Sequence, residues 1–176
     1  SLSHFINSIA TFNSKFDKGF KRYEKLSPAY SNFSDSENRG KALYVRDCRS
    51  CHGSIIFPGL RIGNNGLDKL YADQGVGALT NRQTQNGVFK IPSLRNVAVS
   101  GPYMHDGRFA SLLEVVEHYS SGIQEHPNLS PQLRGISSRA LRFNYSEQDK
   151  ADLVEFLHTL TDHTLMKDER FATPFK

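Results

Sequence analysis

The sequence contains only two cysteines among 176 residues, and it has no long hydrophobic run, no internal repeat and no low-complexity tract. Because no stretch of about 18 apolar residues occurs, we expect no membrane-spanning segment. The net charge of +4 is mild, and the basic residues form neither a stripe nor a patch with interleaved aromatic residues. Nucleic acid is therefore not an expected partner. The length suits one domain, residues 1–176, with enough chain to bury a core.

Both cysteines stand in one short motif, Cys-Arg-Ser-Cys-His, at residues 48–52. A Cys-x-x-Cys-His sequence is the attachment signature of a c-type haem. Its two thiols add across the vinyl groups of the porphyrin, and the histidine that follows becomes a ligand of the iron. The motif therefore predicts a haem c bound covalently through Cys48 and Cys51, with His52 as an axial ligand.

Three other interpretations of the motif fit the sequence less well. A thioredoxin-like redox pair requires a βαβ setting, which the surrounding sequence does not offer. A zinc site requires two more ligands at short spacing, and only scattered histidines are present. A plain disulfide between Cys48 and Cys51 leaves the adjacent His52 unexplained.

Helical patterns dominate the chain and predict an all-α, cytochrome c-like domain with long loops around the haem. An apolar stripe predicts a first helix over residues 1–25. Pairs of a serine with an acidic residue three positions later predict the starts of three more helices, at Ser34, Ser111 and Ser146. Residues 53–87 hold seven of the 13 glycines. They predict a long loop folded over the haem, since the cofactor supplies the apolar surface that the loop lacks.

Blocks spread along nearly the whole chain resemble one known family, the bacterial di-haem cytochrome c peroxidases and their MauG-type relatives, and within it the C-terminal haem domain. The most specific blocks are Ile-Pro-Ser-Leu-Arg-Asn and Pro-Tyr-Met-His-Asp-Gly. The resemblance rests on residues 12–17, 48–52, 65–68, 89–97, 102–107 and 150–157.

The resemblance implies a partner domain, because proteins of this family carry two haems in two cytochrome c-like domains. This chain has one haem motif, so the N-terminal haem domain, which meets hydrogen peroxide, is expected before residue 1. The chain would then transfer electrons within a periplasmic oxidoreductase that reduces hydrogen peroxide or performs a MauG-like high-valent oxidation. A small cytochrome or cupredoxin would be the electron donor. The alternative function is a stand-alone mono-haem electron carrier without catalytic activity.

The beginning of the sequence supports the same expectation. Residues 1–4, Ser-Leu-Ser-His, contain neither a basic region nor a cleavage site of a signal peptide. Haem is normally attached to such motifs after export. We therefore expect that the sequence represents a processed or truncated form of the natural protein.

The second axial position has five candidate ligands in the sequence, Met104, His105, His118, Tyr119 and Met166. Tyr119 follows His105 by fourteen residues, the distance at which peroxidases of this family have a methionine and MauG has a tyrosine. A phenolate is a hard anion that favours ferric or higher-valent iron, whereas a thioether favours ferrous iron. Tyr119 is the preferred candidate and Met104 the alternative. An open or water-filled position, with Tyr119 packed in the core, is the third interpretation.

Other residues are assigned supporting roles. Lys90, Arg95 and His105 are candidates for contacts with the haem propionates or for orienting the loop, although exposure to solvent is the commoner fate of a basic residue. The resemblance also implies that the main-chain carbonyls of Ser100 and Pro102 bind a calcium ion between the two domains.

Overall fold

The computed structural model describes residues 2–23, 25–26, 28–53 and 61–172. Its helices are short, and two of them continue into turns of π-helix. The α-helices are α1 (Leu2–Ser8), α2 (Lys15–Tyr23), α3 (Asp35–Leu43), α4 (Arg49–His52), α5 (Val76–Thr80), α6 (Leu112–Glu117), α7 (Glu147–His158) and α8 (His163–Met166). The π-helical turns are Tyr44–Cys48 and His118–Gly122, and the 3-10 turns are Gln83–Gln85, Val97–Val99, Pro131–Leu133 and Glu169–Phe171.

The pairing of α3 with α7 forms the centre of the fold. Gly40 allows the two helices to approach closely, because a Cβ atom there would lie 1.8 Å from the main-chain oxygen of Asp152. Phe156 on α7 is fully buried and packs against Phe16 and Tyr44, with ring centroids 6.3 and 5.3 Å apart. This helix pair carries the haem motif, which follows α3 directly in the chain, and the architecture confirms the predicted cytochrome c-like fold.

The three predicted helix starts are confirmed at atomic detail. Ser34, Ser111 and Ser146 each accept a hydrogen bond from the main-chain N–H three residues later, and the acidic side chain at that position accepts one from the serine N–H. Each pair satisfies two donors that the first helical turn leaves open. The local sequence therefore fixes where α3, α6 and α7 begin.

The predicted single helix over residues 1–25 is wrong, because the chain breaks between α1 and α2. Ser14 and Asp17 form a further reciprocal pair, with the Asp17 carboxylate accepting from the Ser14 N–H at 3.0 Å and the Asp17 N–H donating to Ser14 Oγ. This cap starts a new helix. The apolar residues before it do not join the core and are exposed instead: Leu2, Phe5, Ile6, Ile9 and Phe12.

Residues 61–90 are less irregular than predicted. Ile62–Gly63 (β1) pairs antiparallel with Phe89–Lys90 (β2). In the chain, α5 follows β1 and precedes β2. Strands of two residues are too short to produce a visible alternation of apolar and polar positions. Residues 54–60 lie outside the described residues. Within the described ranges, no helix is both long and apolar enough to cross a membrane.

A buried carboxylate ties α3 to α7. Asp152 accepts hydrogen bonds from Arg39 Nε at 2.6 Å, from Ser36 Oγ at 2.5 Å and from Gln148 Nε2 at 2.9 Å. The hydrogen bond from Arg39 is the largest influence on this group. Together with Ser36 and Gln148 it outweighs burial and holds the pKa of Asp152 at about 2, below the usual 3.8.

We predict that Asp152 makes the stability of the protein fall in acid. Because its pKa is lowered in the folded state, its contribution is complete above pH 3.8 and is lost as the pH falls toward 2. Asp152→Asn should lower the free energy of unfolding at neutral pH by about 1–3 kcal/mol and should flatten this acid-dependent loss. Urea unfolding at several pH values measures both effects.

The matched control is Glu155→Gln, on the exposed face of the same helix. It should leave the acid-dependent loss in place. An Asp152→Asn variant that is as stable as the wild type at neutral pH and loses stability identically in acid would contradict the prediction.

Candidate haem site

The helical segment that carries the haem motif consists of three consecutive parts. α3 passes into the π-helical turn Tyr44–Cys48 and then into α4, so that the turn ends at the first cysteine. The Tyr44 hydroxyl donates a hydrogen bond to the carbonyl of Gly53 at 2.8 Å, which closes the segment on the far side of the motif. π-helical turns inside α-helices frequently occur at functional sites. Here the turn fixes how the motif projects from the core.

Cys48 and Cys51 are free, half-buried thiols. Burial, the largest influence, raises the pKa of the Cys48 thiol to about 12. Redox-active cysteines have a lowered pKa, because the thiolate is the reactive form. The environment of Cys48 is therefore unlike that of a cysteine used in thiol–disulfide exchange.

One ring nitrogen of His52 forms a hydrogen bond, and the other is left available to a metal. Its Nδ1 lies 3.1 Å from the carbonyl oxygen of Pro92. Since a carbonyl only accepts, Nδ1 carries the proton and Nε2 holds the lone pair. Burial lowers the pKa of His52, against the opposing effect of the Pro92 hydrogen bond. The neutral imidazole favoured in this way is the form that binds a metal, and a hydrogen bond of this kind fixes the ring orientation of such ligands.

Tyr119 lies in the second π-helical turn. Its hydroxyl is within electrostatic range of the haem motif, because negative charge on Cys48 or Cys51 would raise its pKa. Burial is the largest influence and raises the pKa to about 12, while the Asn65 side chain lowers it in part. Its ring packs against the buried cluster of Ile123, Leu129 and Leu133. Tyr119 is therefore a buried phenol that stays neutral at ordinary pH.

The alternative ligand Met104 is held beside the same site. Its sulfur accepts a hydrogen bond from Asn65 Nδ2 at 3.3 Å. Its backbone has a φ of 74°, a region that non-glycine residues rarely adopt outside functional or strained positions. The structure thus joins Met104 to the loop after β1 through one asparagine.

The remaining three candidate ligands have other environments. His118 is buried and its Nε2 lies 3.1 Å from the main-chain oxygen of Asn65, so this nitrogen is engaged. His105 is exposed and its ring stacks on Phe89, with centroids 4.0 Å apart. Met166 is exposed in α8. These environments do not favour any of the three as the axial ligand.

Arg95 is committed to a structural role, which corrects the expectation of an exposed or propionate-binding residue. Its side chain is 8% exposed and forms a paired contact with the Asp17 carboxylate at 2.8 and 3.0 Å. It also donates to the carbonyl of Thr11 at 2.8 Å. Only Nε remains without a partner among the described residues. Two of its three nitrogens thus anchor the segment that precedes α2 and are not available to a propionate.

The other supporting residues lie on the surface. Lys90 is exposed on β2, and its contact with a propionate stays a prediction, as does that of His105. Ser100 and Pro102 are exposed in the turn before Met104. Among the residues described, no three His, Cys, Asp or Glu side chains are grouped to hold a metal ion. A calcium ion here would therefore depend on main-chain oxygens and on ligands from elsewhere.

Sequence reasoning missed an arginine that joins two of the family-like blocks. Arg108 contacts Asp68 at 2.7 and 2.9 Å and Asp106 at 2.6 and 2.8 Å. It therefore joins the loop after β1 to the turn that carries Met104. No local spacing pointed to this role, because Asp68 lies 40 residues away in the chain. Pro92 was also missed as the partner of His52, although it stands inside the Ile-Pro-Ser-Leu-Arg-Asn block.

These donor atoms fit a haem c. The motif supplies two thiols for the vinyl groups and one imidazole nitrogen with a free lone pair for the iron. Tyr119 and Met104 remain the candidates for the second axial position.

Comparison with known proteins gives the same picture. The sequence model of the cytochrome c family matches residues 37–161. The methylamine utilization protein MauG of Methylorubrum extorquens is 32% identical over 167 residues, which cover 89% of this chain and 44% of that protein. The cytochrome c551 peroxidase of Nitrosomonas europaea is 30% identical over 166 residues, 92% of this chain and 43% of that one.

A solved structure is also similar. The crystal structure of a MauG-like protein associated with microbial copper homeostasis superposes with a TM-score of 0.76 at 30% identity, covering 94% of this chain and 56% of that one. The chain therefore spans about half the length of the proteins that it matches. These similarities confirm the resemblance to the di-haem peroxidases and MauG proteins.

We predict that Cys48 and Cys51 each form a thioether. Trypsin cuts after Arg46, Arg49 and Arg61 and so separates the two cysteines into different peptides. In the mature protein, haem should join these peptides into one species of combined mass. In Cys51→Ala, haem should remain on the peptide of residues 47–49 alone. Mass spectrometry of the digest measures this.

Ser50→Ala is the matched control, because it changes the same peptide and keeps both thiols. Its digest should contain the joined species. Finding the peptide of residues 50–61 without haem in the digest of the mature wild-type protein would contradict the prediction.

Proposed function

This chain belongs to the cytochrome c family, and from that premise we propose that it is the C-terminal, electron-transferring haem domain of a periplasmic di-haem peroxidase-type oxidoreductase with MauG-like ligation. The observation that carries the proposal is the imidazole of the haem motif, His52, whose Nδ1 lies 3.1 Å from the carbonyl oxygen of Pro92 and whose Nε2 is left to bind iron. The relatives that match the chain are about twice its length, which leaves room for a second haem domain. They do not favour a stand-alone electron carrier.

A haem bound here would supply an iron centre that gains and loses single electrons. The chain's own groups determine how that centre behaves. His52 offers Nε2, and Pro92 keeps the proton on Nδ1, which orients the ring and makes Nε2 a better donor. The Tyr119 hydroxyl would have to lose its proton before its oxygen could hold the iron. With a pKa of about 12, that proton leaves only when a cation takes its place.

A phenolate ligand would set the reduction potential of the iron and so decide whether the centre more readily gives up or accepts an electron. A hard anionic oxygen stabilises ferric more than ferrous iron and so lowers the reduction potential, whereas the thioether of Met104 would raise it. A Tyr119-ligated centre therefore suits the storage of oxidising equivalents received from the second domain. A Met104-ligated centre would suit an electron reservoir filled by a small cytochrome or cupredoxin.

The location and the assembly follow from the same chemistry. Thioether attachment of haem is carried out after export, which supports a periplasmic location. The second haem domain of the same protein is the proposed partner, and a calcium ion held by main-chain oxygens at Ser100 and Pro102 is part of the proposal for the contact between them.

We predict that removal of the Tyr119 hydroxyl changes the ferric centre. Tyr119→Phe should lose the phenolate vibrations in the resonance Raman spectrum, because no anionic oxygen remains at that position. The reduction potential should rise by on the order of 0.1 V, within the range of about 0.8 V that axial ligands cover. Raman spectroscopy and a potentiometric titration of the mature, full-length protein measure these changes.

Tyr103→Phe is the matched control, since the Tyr103 hydroxyl donates to the carbonyl of Val97 at 3.0 Å. It should leave the phenolate bands and the potential unchanged. An unchanged ferric spectrum in Tyr119→Phe would rule out the phenolate.

We also predict that the full-length protein reacts with hydrogen peroxide without an external donor. A MauG-like protein should keep a long-lived, peroxide-oxidised absorption spectrum, and reduced small cytochrome or cupredoxin should shorten its lifetime. Stopped-flow spectroscopy with and without the donor measures this. Peroxide consumption no faster than that by free haem would contradict the proposed activity.

A further inference from the structure

A buried tyrosine outside the haem motif is hydrogen-bonded to the residue that precedes the first cysteine. Tyr145 stands directly before the cap of α7 and is buried. Its hydroxyl donates a hydrogen bond to the carboxylate of Asp47 at 2.8 Å. Asp47 is followed in the chain by Cys48, and both lie in the same π-helical turn. The phenol and its acceptor are therefore placed beside the point where a haem would be attached.

The acceptor distinguishes this phenol from two other tyrosines of the fold. The hydroxyls of Tyr44 and Tyr103 donate to main-chain carbonyls, at 2.8 and 3.0 Å. A carbonyl does not take up such a proton, whereas a carboxylate within about 2.6–3.2 Å can act as a base. Arg46 donates to the Asp47 carboxylate at 2.7 and 2.8 Å and holds it in place.

The ring of Tyr145 is shielded from water. It stacks on Phe143, with centroids 5.5 Å apart and planes inclined by 5°. It also belongs to the main buried cluster, against which Cys48 packs. Burial is the largest influence on the hydroxyl and raises its pKa above the usual value, and the hydrogen bond to Asp47 acts in the same direction. The phenol therefore keeps its proton in the resting protein.

Oxidation of a phenol is coupled to the loss of that proton. Removal of an electron makes the hydroxyl strongly acidic, and a positive charge left on a buried ring would be costly. A base within hydrogen-bond distance removes this obstacle. Here the transfer of the proton would leave a neutral phenoxyl radical on Tyr145 and a neutral carboxyl group on Asp47. The pair therefore has the chemistry that a redox-active tyrosine requires.

The main chain at Tyr145 is fixed without the hydroxyl. Its N–H donates to Ser120 Oγ at 2.9 Å, and the next residue, Ser146, forms the cap that begins α7. The stacking on Phe143 does not use the hydroxyl either. A substitution by phenylalanine therefore removes the hydrogen bond to Asp47 and keeps the position of the ring.

We propose that Tyr145 is a redox-active residue that gives an electron to the peroxide-oxidised haem while its proton passes to Asp47. The inference rests on the proposed function, because that reaction supplies the oxidant. The O–H bond of Tyr145 breaks and an O–H bond forms on Asp47. The external electron donor later reduces the phenoxyl radical, and Asp47 returns the proton. Tyr145 thus stores part of the oxidising power that peroxide delivers.

The test is electron paramagnetic resonance of the mature, full-length protein, frozen at set times after mixing with hydrogen peroxide. A radical signal should form, and tyrosine deuterated on the ring should narrow it, which identifies a tyrosyl radical. In Tyr145→Phe this signal should be absent. A Tyr145→Phe variant with the wild-type signal would overturn the inference.

A second variant, Asp47→Asn, tests the proton acceptor. The amide oxygen can still accept the hydrogen bond but does not take up the proton. The rate of radical formation should therefore fall about a hundredfold, the lower end of what a positioned acid or base contributes, and an unchanged rate would overturn the inference. Mass spectrometry first establishes that haem is attached in the variant. If it is not, Tyr145→Phe decides the inference, since it leaves the segment of the motif unaltered.

The matched control is Tyr103→Phe, which removes a hydroxyl that donates to the carbonyl of Val97. Its radical signal should equal that of the wild type, and loss of the signal in this variant as well would overturn the inference. A wild-type protein without a peroxide-oxidised absorption spectrum would overturn the proposed function. A wild type that shows this spectrum but no tyrosyl radical would overturn the role of Tyr145 alone.

Discussion

The hydrogen bond between Nδ1 of His52 and the carbonyl of Pro92, 3.1 Å long, determines what the haem motif can do. It keeps the proton on one nitrogen of the ring and leaves the lone pair on the other. The two residues are 40 positions apart, so the bond forms only when the segment after β2 folds back onto α4. The ligand is therefore prepared by the fold and not by the motif alone.

Other parts of the site are also held by contacts between residues that are distant in the chain. Tyr119 and Cys48 both lie in π-helical turns. Each turn interrupts a regular α-helix, as often happens at functional sites. Arg108 holds the loop and the turn together, and Asn65 on that loop donates a hydrogen bond to the sulfur of Met104. The fourteen-residue spacing from His105 favours Tyr119 as the ligand, whereas the position of Met104 depends on contacts between segments that are distant in the chain.

Much of this could be predicted from local sequence, and the remainder depends on contacts that local patterns do not encode. The haem motif and the caps at Ser34, Ser111 and Ser146 are short-range chemistry, and the structure has helix starts at all three serines. The break before α2 was missed because an apolar stripe continues through it, although the Ser14–Asp17 cap was readable. Arg95 was misassigned because its partner lies 78 residues away. The same limit applies to Asn65, whose neighbours are distant in the chain.

A crystal structure of the mature, full-length protein tests the ligation most directly. The account predicts electron density joining both cysteine sulfurs to one porphyrin, with its iron bonded to Nε2 of His52 on one face and to the phenol oxygen of Tyr119 on the other. Iron bonded to the sulfur of Met104, or a haem motif whose imidazole points away from any metal, would contradict it.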